Sequence, residues 1–178
     1  ALSGGMTCPN RDGLIDTRGC IFCSTGGSGD FAQSADADIH EQIENAKLLI
    51  ADKYKGSGYI AYFQSYTNTY ADTDYLRRLF YPVILREDIK ILSIATRPDC
   101  LSDDVISLLA ELNTIKPVWV ELGLQTIHET TARYIRRGYK LEVFDKAVTA
   151  LLNAGIKPII HIIIGLPNET KQDSVNTT

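Results

Sequence analysis

Three of the four cysteines in this 178-residue chain are grouped: Cys8, Cys20 and Cys23, spaced Cys-x11-Cys-x2-Cys in a segment with glycines at 13 and 19. Thiolates from one such loop can wrap around a cube, which is what a 4Fe–4S cluster requires of its ligands. Three ligands are one short of a closed site, and the deficit leaves one iron free to bind a substrate or cofactor. Two other readings stand beside this one. A zinc site of three Cys and one His would take His40 or His128 as its fourth ligand. Cys20-Ile21-Phe22-Cys23 alone could be a dithiol redox pair, although its loop setting fits a thioredoxin-like strand-to-helix turn poorly. A disulfide framework is excluded: a chain of this size does not need staples, and Cys100 stands far from the others.

Other residues carry chemistry singly. Glu121 lies mid-strand and needs a partner (Arg, Lys or a ligand hydroxyl), because an unpaired buried charge is costly. His161 faces inward from a strand, as a core residue or a ligand. Arg97 precedes Pro98 at a strand end and either caps it or reaches a ligand. Tyr66 and Tyr70 line a pocket or pack under a loop, and Cys100 reads as a small buried hydrophobe. A basic cluster, Arg133, Arg136, Arg137 and Lys140, suits a small anion as well as a phosphate backbone.

The elements that must position these residues alternate. Apolar runs at Tyr59–Phe63, Ile89–Ala95, Val118–Leu122 and Ile159–Ile164 read as buried parallel strands. Helical spacing connects them: Ile39, Ile43, Ala46 and Ile50; Leu76, Leu79 and Phe80; Val105, Leu108, Leu109 and Leu112; and Val143, Phe144, Ala147, Val148 and Leu151, the last ending at a C-cap on Gly155. Each strand ends in a polar segment, as in barrels whose loops converge on one active site, so a barrel or partial barrel of about five visible strands is expected. Hardly a strand precedes Cys8, and a new helix opens after Glu169, so both ends read as cut; residues 1–178 are expected to form one domain. The net charge of -4 argues against a broad nucleic-acid footprint. No run approaches the ~20 apolar residues that cross a bilayer, and no leader-like segment is visible, so a cytoplasmic protein with no membrane partner is expected.

Taken together, these residues resemble the radical S-adenosylmethionine (SAM) superfamily, in a branch similar to the catalytic subunit of the elongator complex and, more distantly, to the oxygen-independent coproporphyrinogen oxidase. The resemblance rests on Thr7-Cys8-Pro9-Asn10-Arg11-Asp12-Gly13, Gly19-Cys20-Ile21-Phe22-Cys23, Tyr62 to Tyr70, Ala95-Thr96-Arg97-Pro98-Asp99, Glu121 to Thr126, Arg137-Gly138 and His161 to Glu169, and covers essentially the whole chain.

It implies a partial (β/α)6 TIM-like barrel. Cys8, Cys20 and Cys23 would ligate three irons, and the fourth iron would chelate SAM. Phe22 would pack near the adenine. Gln64-Ser65-Tyr66 falls where the superfamily usually has Gly-Gly-Glu holding the SAM amino group, a departure that leaves backbone carbonyls to serve. Gln125 would meet ribose hydroxyls and Arg137 the SAM carboxylate, whose shape a guanidinium fork matches. Ile163 and Gly165 would flank the adenine, and His161 would replace an acidic ribose ligand. Thr96, Arg97 and Glu121 complete the expected SAM-binding set; no catalytic side chain is assigned. The implied activity is reductive cleavage of SAM to a 5′-deoxyadenosyl radical that abstracts hydrogen from a substrate, with a flavodoxin- or ferredoxin-like one-electron reductant as partner. The substrate would be a tRNA or a small molecule. A zinc- or cluster-stabilised binding module without catalysis is the alternative.

Overall fold

A computed structural model describes residues 1–178. Four strands, β1 (Tyr59–Phe63), β2 (Ile89–Thr96), β3 (Val118–Gln125) and β4 (Lys157–Ile162), form one parallel sheet in the order β1-β2-β3-β4. Before β1 lies α1 (Ile39–Leu48). The crossovers carry α2 (Thr73–Ile84), α3 (Asp103–Asn113), and then α4 (Glu129–Tyr134) with α5 (Leu141–Asn153); α6 (Lys171–Thr177) follows β4. Crossovers of one hand between strands laid down in sequential order put all their helices on one face, and leave the other face to line a lumen. The molecule is therefore the expected partial parallel barrel. It holds four strands, with Leu2 adding an isolated parallel bridge to Phe63.

The burial pattern of β3 shows the division. Val118, Val120, Leu122 and Leu124 are buried on the helix side, whereas Trp119, Glu121, Gly123 and Gln125 on the opposite face are only half-buried. The helix side packs Phe63, Leu92, Ile94, Val120 and Leu122 against Phe80, Leu108, Leu112, Ala147 and Leu151 in one core, and Phe63 meets Phe80 edge to face at 5.1 Å. Burying side chains of this size contributes about 1.5–3 kcal/mol each.

Two expectations change. β4 spans Lys157–Ile162, so Ile163 and Ile164 lie beyond it, and no residue of β4 is buried. It is the edge of the sheet, and with no strand beyond it a continuous apolar run stays partly open. The short helix α4 has too few turns to show an apolar period. Gly155, by contrast, ends α5 as expected: at φ +71° it lets its own N–H reach the Leu152 carbonyl and the Ile156 N–H the Leu151 carbonyl, turning the chain into β4.

Candidate functional site

The cysteine loop is shaped by its backbone. The Cys8 carbonyl accepts the N–H groups of Arg11 (2.8 Å) and Asp12 (3.1 Å), the Asn10 carbonyl accepts that of Gly19 (2.8 Å), and the Cys20 carbonyl that of Cys23 (3.2 Å). Ile21 N–H reaches the Ile135 carbonyl just after α4 (3.1 Å), which ties the loop to the body. Asn10, 1% exposed, donates its side-chain amide to the Arg136 carbonyl (2.6 Å) and to Cys20 Sγ (3.2 Å). Arg11 donates to the carbonyls of Cys23 (3.1 Å) and Ser24 (2.5 Å). Burial raises the Cys20 thiol pKa, against the Asn10 amide and the Arg97 charge, which favour the thiolate. All four cysteines are free thiols.

The loop closes over a cavity of about 180 Å³ on the lumen face, lined by Cys8, Cys20 and Cys23 and by Phe22, Gln64, Tyr66, Thr96, Arg97, Glu121, Gln125, Arg137 and His161. On its floor a polar chain crosses β2, β3 and β4: the Glu121 carboxylate accepts from Ser93 Oγ of β2 and pairs with His161 Nε2 of β4 at 2.7 Å, with Tyr62 of β1 lining the same cavity. The partners that Glu121 requires are thus a histidine and a serine, not an Arg or Lys. Burial works to raise the Glu121 pKa, but these hydrogen bonds outweigh it and the value is lowered; His161 is raised, chiefly by its bond to Glu121. The Thr96 hydroxyl is bonded to that of Thr69 (2.6 Å). A larger, more open groove of about 1000 Å³ runs past Met6, Leu14, Ile15 and Val105. It takes in Tyr70 and Cys100 but none of the three grouped thiols.

Several expected site residues sit elsewhere. Ser65 is buried beside Gly29, where a Cβ would come within 2.6 Å of Ser65 Cβ, and its hydroxyl has no partner. Ile163 and Gly165 lie past the end of β4 and do not line the cavity. Cys100 is half-buried rather than a core residue, its thiol pushed up to about 12 mainly by burial. His40 and His128 lie outside the cavity, and no three His, Cys, Asp or Glu side chains converge on a point as a single zinc would need. A cube that takes each thiolate on a different iron does not need them to converge, so the donor set fits a cluster better than a mononuclear metal.

Of the two arginines only Arg137 departs from expectation; Arg97 bonds at its strand end while still lining the cavity. Arg97 donates Nε and Nη2 to Asp99 (2.9 and 2.7 Å) and Nη1 to the Arg137 carbonyl (3.0 Å). Arg137 is 1% exposed, and its donors go to the carbonyls of Leu124 (3.0 Å), Thr126 (2.6 Å) and Tyr139 (3.1 and 2.9 Å) and to Glu129 (3.3 Å). A guanidinium has five N–H groups, and these bonds use them on the protein, so pairing with a ligand carboxylate is not what this geometry shows. Arg137 is also withdrawn from the basic cluster, leaving Arg133, Arg136 and Lys140 more exposed. Tyr139, overlooked in the sequence, sits with its ring 4.9 Å from Arg97 and 4.7 Å from Arg137, and its hydroxyl donates to the Gly123 carbonyl. Its only sequence signal is its place two residues after Arg137.

The radical SAM superfamily profile matches residues 17–177, a span that includes Cys20 and Cys23 and begins after Cys8. The chain belongs to the radical SAM superfamily. That superfamily consists of enzymes that use a 4Fe–4S cluster and SAM and need a reductant. The chain is 48% identical over 177 residues to the uncharacterized protein YtqA of Bacillus subtilis, covering 99% of this chain and 55% of that protein. It therefore spans about half the length of that relative. A shorter match, 33% over 79 residues, is to a tRNA uridine(34) acetyltransferase of Methanocaldococcus infernus, covering 44% of this chain and 14% of that one. Coproporphyrinogen III oxidase of Escherichia coli, a radical SAM enzyme, superposes with a TM-score of 0.64 at 16% identity over 99% of this chain and 39% of its own length, which establishes the shared fold. No helix of this chain is long and apolar enough to cross a membrane.

Proposed function

We propose that this chain is the core of a radical SAM enzyme in which Cys8, Cys20 and Cys23 hold the cluster and the lumen cavity holds SAM. The observation that carries the reading is that the three thiols and the polar chain of Glu121 and His161 line one cavity. The bound cofactors supply a one-electron reductive cleavage of the sulfonium, giving a 5′-deoxyadenosyl radical able to abstract hydrogen. The protein's own contribution is placement and exclusion of water. Phe22 offers an aromatic face to the adenine, Gln125 and His161 offer polar groups to the ribose, and Gln64 and Tyr66 border the amino-acid end. Asn10 supports the cluster loop by its hydrogen bond to Cys20, and Ser65, Ile163 and Gly165, off the cavity wall, are given no contact with SAM. A one-electron carrier protein of the flavodoxin or ferredoxin kind would supply the electron. An RNA substrate is favoured by the match to the tRNA uridine acetyltransferase, and a small molecule is the second candidate.

The test is anaerobic reconstitution with iron and sulfide, followed by an assay of SAM cleavage to 5′-deoxyadenosine. A brown protein whose reduced-cluster EPR spectrum changes when SAM is added is expected. Cys20→Ala should abolish both signals; if that variant cleaves SAM as well as the parent, the ligand assignment is wrong.

A further inference from the structure

At the end of β3 the register with β4 shifts between Gly123 and Gln125. Gln125 lies there at φ +66°, the left-handed region, and the Thr126 N–H closes back on the Leu124 carbonyl at 2.8 Å. A turn of two residues' span with a non-glycine residue at positive φ is strained, at a cost of about 1 kcal/mol or more for an L side chain. Nothing in a parallel ladder requires it. Its effect is to aim the Gln125 side chain into the cavity, folded over Gly123, where any Cβ would strike the Gln125 amide.

The two carbonyls that flank Gln125, those of Leu124 and Thr126, are the two that Arg137 Nη1 grips, at 3.0 and 2.6 Å. Nε and Nη2 both fasten to the Tyr139 carbonyl, and the Tyr139 hydroxyl donates to the Gly123 carbonyl. We propose that Arg137 is a positioning residue: a buried strap across the Gln125 turn that holds this side chain in the nucleoside pocket, so that it sets SAM affinity through Gln125 rather than by contact with SAM. The inference rests on the reading of the cavity as the SAM site.

The two roles predict different couplings. If Arg137 acts through Gln125, Gln125→Ala and Arg137→Lys should each raise KM for SAM by about tenfold with kcat within about twofold, and the double variant should be no worse than either alone. If Arg137 instead binds SAM itself, the effects multiply to about a hundredfold and the proposal is overturned. A second readout needs no cofactor. In the cluster-free protein, the backbone three-bond HN–Hα coupling and carbon shifts of Gln125 should leave their left-handed values in Arg137→Lys. In an Arg137→Lys background, Gln125→Gly should restore part of the lost stability, because glycine meets positive φ without strain. Left-handed shifts that persist in Arg137→Lys would overturn the strap, whatever the kinetics show. If Gln125→Ala leaves KM unchanged while the shifts respond, the strap stands as backbone support but its link to SAM affinity falls. An absence of SAM cleavage in the parent would instead refute the broader functional reading.

Discussion

The cysteine loop and the lumen face of the sheet hold the same cavity by opposite means. On the sheet side, Glu121 has partners on both neighbouring strands, and Arg137, which crosses the end of β3 from the loop after α4, has a protein acceptor for every donor. In the loop, the backbone is well bonded, but the thiols have few side-chain partners, Asn10 for Cys20 and Ser28 beside Cys23 at 3.4 Å. The cross-strand bonds of the sheet face need no ligand and should keep it rigid, whereas a bound metal would bring the sulfurs of the loop into a common structure.

The largest effect should come from cutting the strap. Arg137→Leu leaves the carbonyls of Leu124, Thr126 and Tyr139 without their donor inside the protein, so a loss of about 3–5 kcal/mol is expected, read as a lower urea midpoint with an unchanged slope. A loss below about 1 kcal/mol would mean that water replaces the guanidinium freely and that the sheet end is no more finished than the loop.

Next in size is cluster removal. Loading and then stripping the metal should change amide exchange at least tenfold across residues 8–29, and leave β2 and β3 within about twofold. Uniform loosening of loop and strands together would show that the sheet's polar chain also depends on the ligand, and the contrast would fail.

The same contrast explains what was readable beforehand. Ligands that are neighbours in the chain, such as Cys20 and Cys23, are visible as spacing, and so is the glycine that ends α5, because a cap is a local event. The partners of Glu121 were not visible, since Ser93 and His161 reach it only once register is set, and a shift of one residue would turn each away. Arg137 misled for a related reason: its residue type suits a carboxylate, but acceptors from the turn it crosses were nearer, and backbone carbonyls leave no mark in a sequence. β4 read as buried because its apolar run says what the strand can pack against, not whether a neighbour is there.

A smaller effect is expected at the Glu121–His161 pair. The His161 pKa is raised above its ordinary 6.5, so its share of stability is full below that value and is lost as pH rises through the raised pKa. The Glu121 pKa is lowered from 4.5, so its share is present above that value and is lost as pH falls through the lowered pKa. The pair is therefore at full strength between about 4.5 and 6.5. Glu121→Gln should lower stability within that window by about 1 kcal/mol and flatten its fall on either side, the half-exposed imidazole being partly screened, and NMR titration should return His161 toward 6.5. An unmoved His161 titration would show that the cross-strand bond is not kept in solution.

The smallest effect should be loss of the Tyr139 hydroxyl alone, set against loss of the whole ring. Its ring lies against both Arg97 and Arg137, and its hydroxyl meets the Gly123 carbonyl. Tyr139→Phe keeps the ring and both cation contacts and loses one neutral hydrogen bond, so about 0.5–1 kcal/mol is expected. Tyr139→Leu removes the aromatic face as well and should cost about 1–2 kcal/mol more, since desolvated cation–π contacts reach that size. Equal losses for Phe and Leu would place the whole contribution in the hydroxyl. The sheet end would then be held by hydrogen bonds alone, with the guanidinium groups of Arg97 and Arg137 needing no aromatic surface between them.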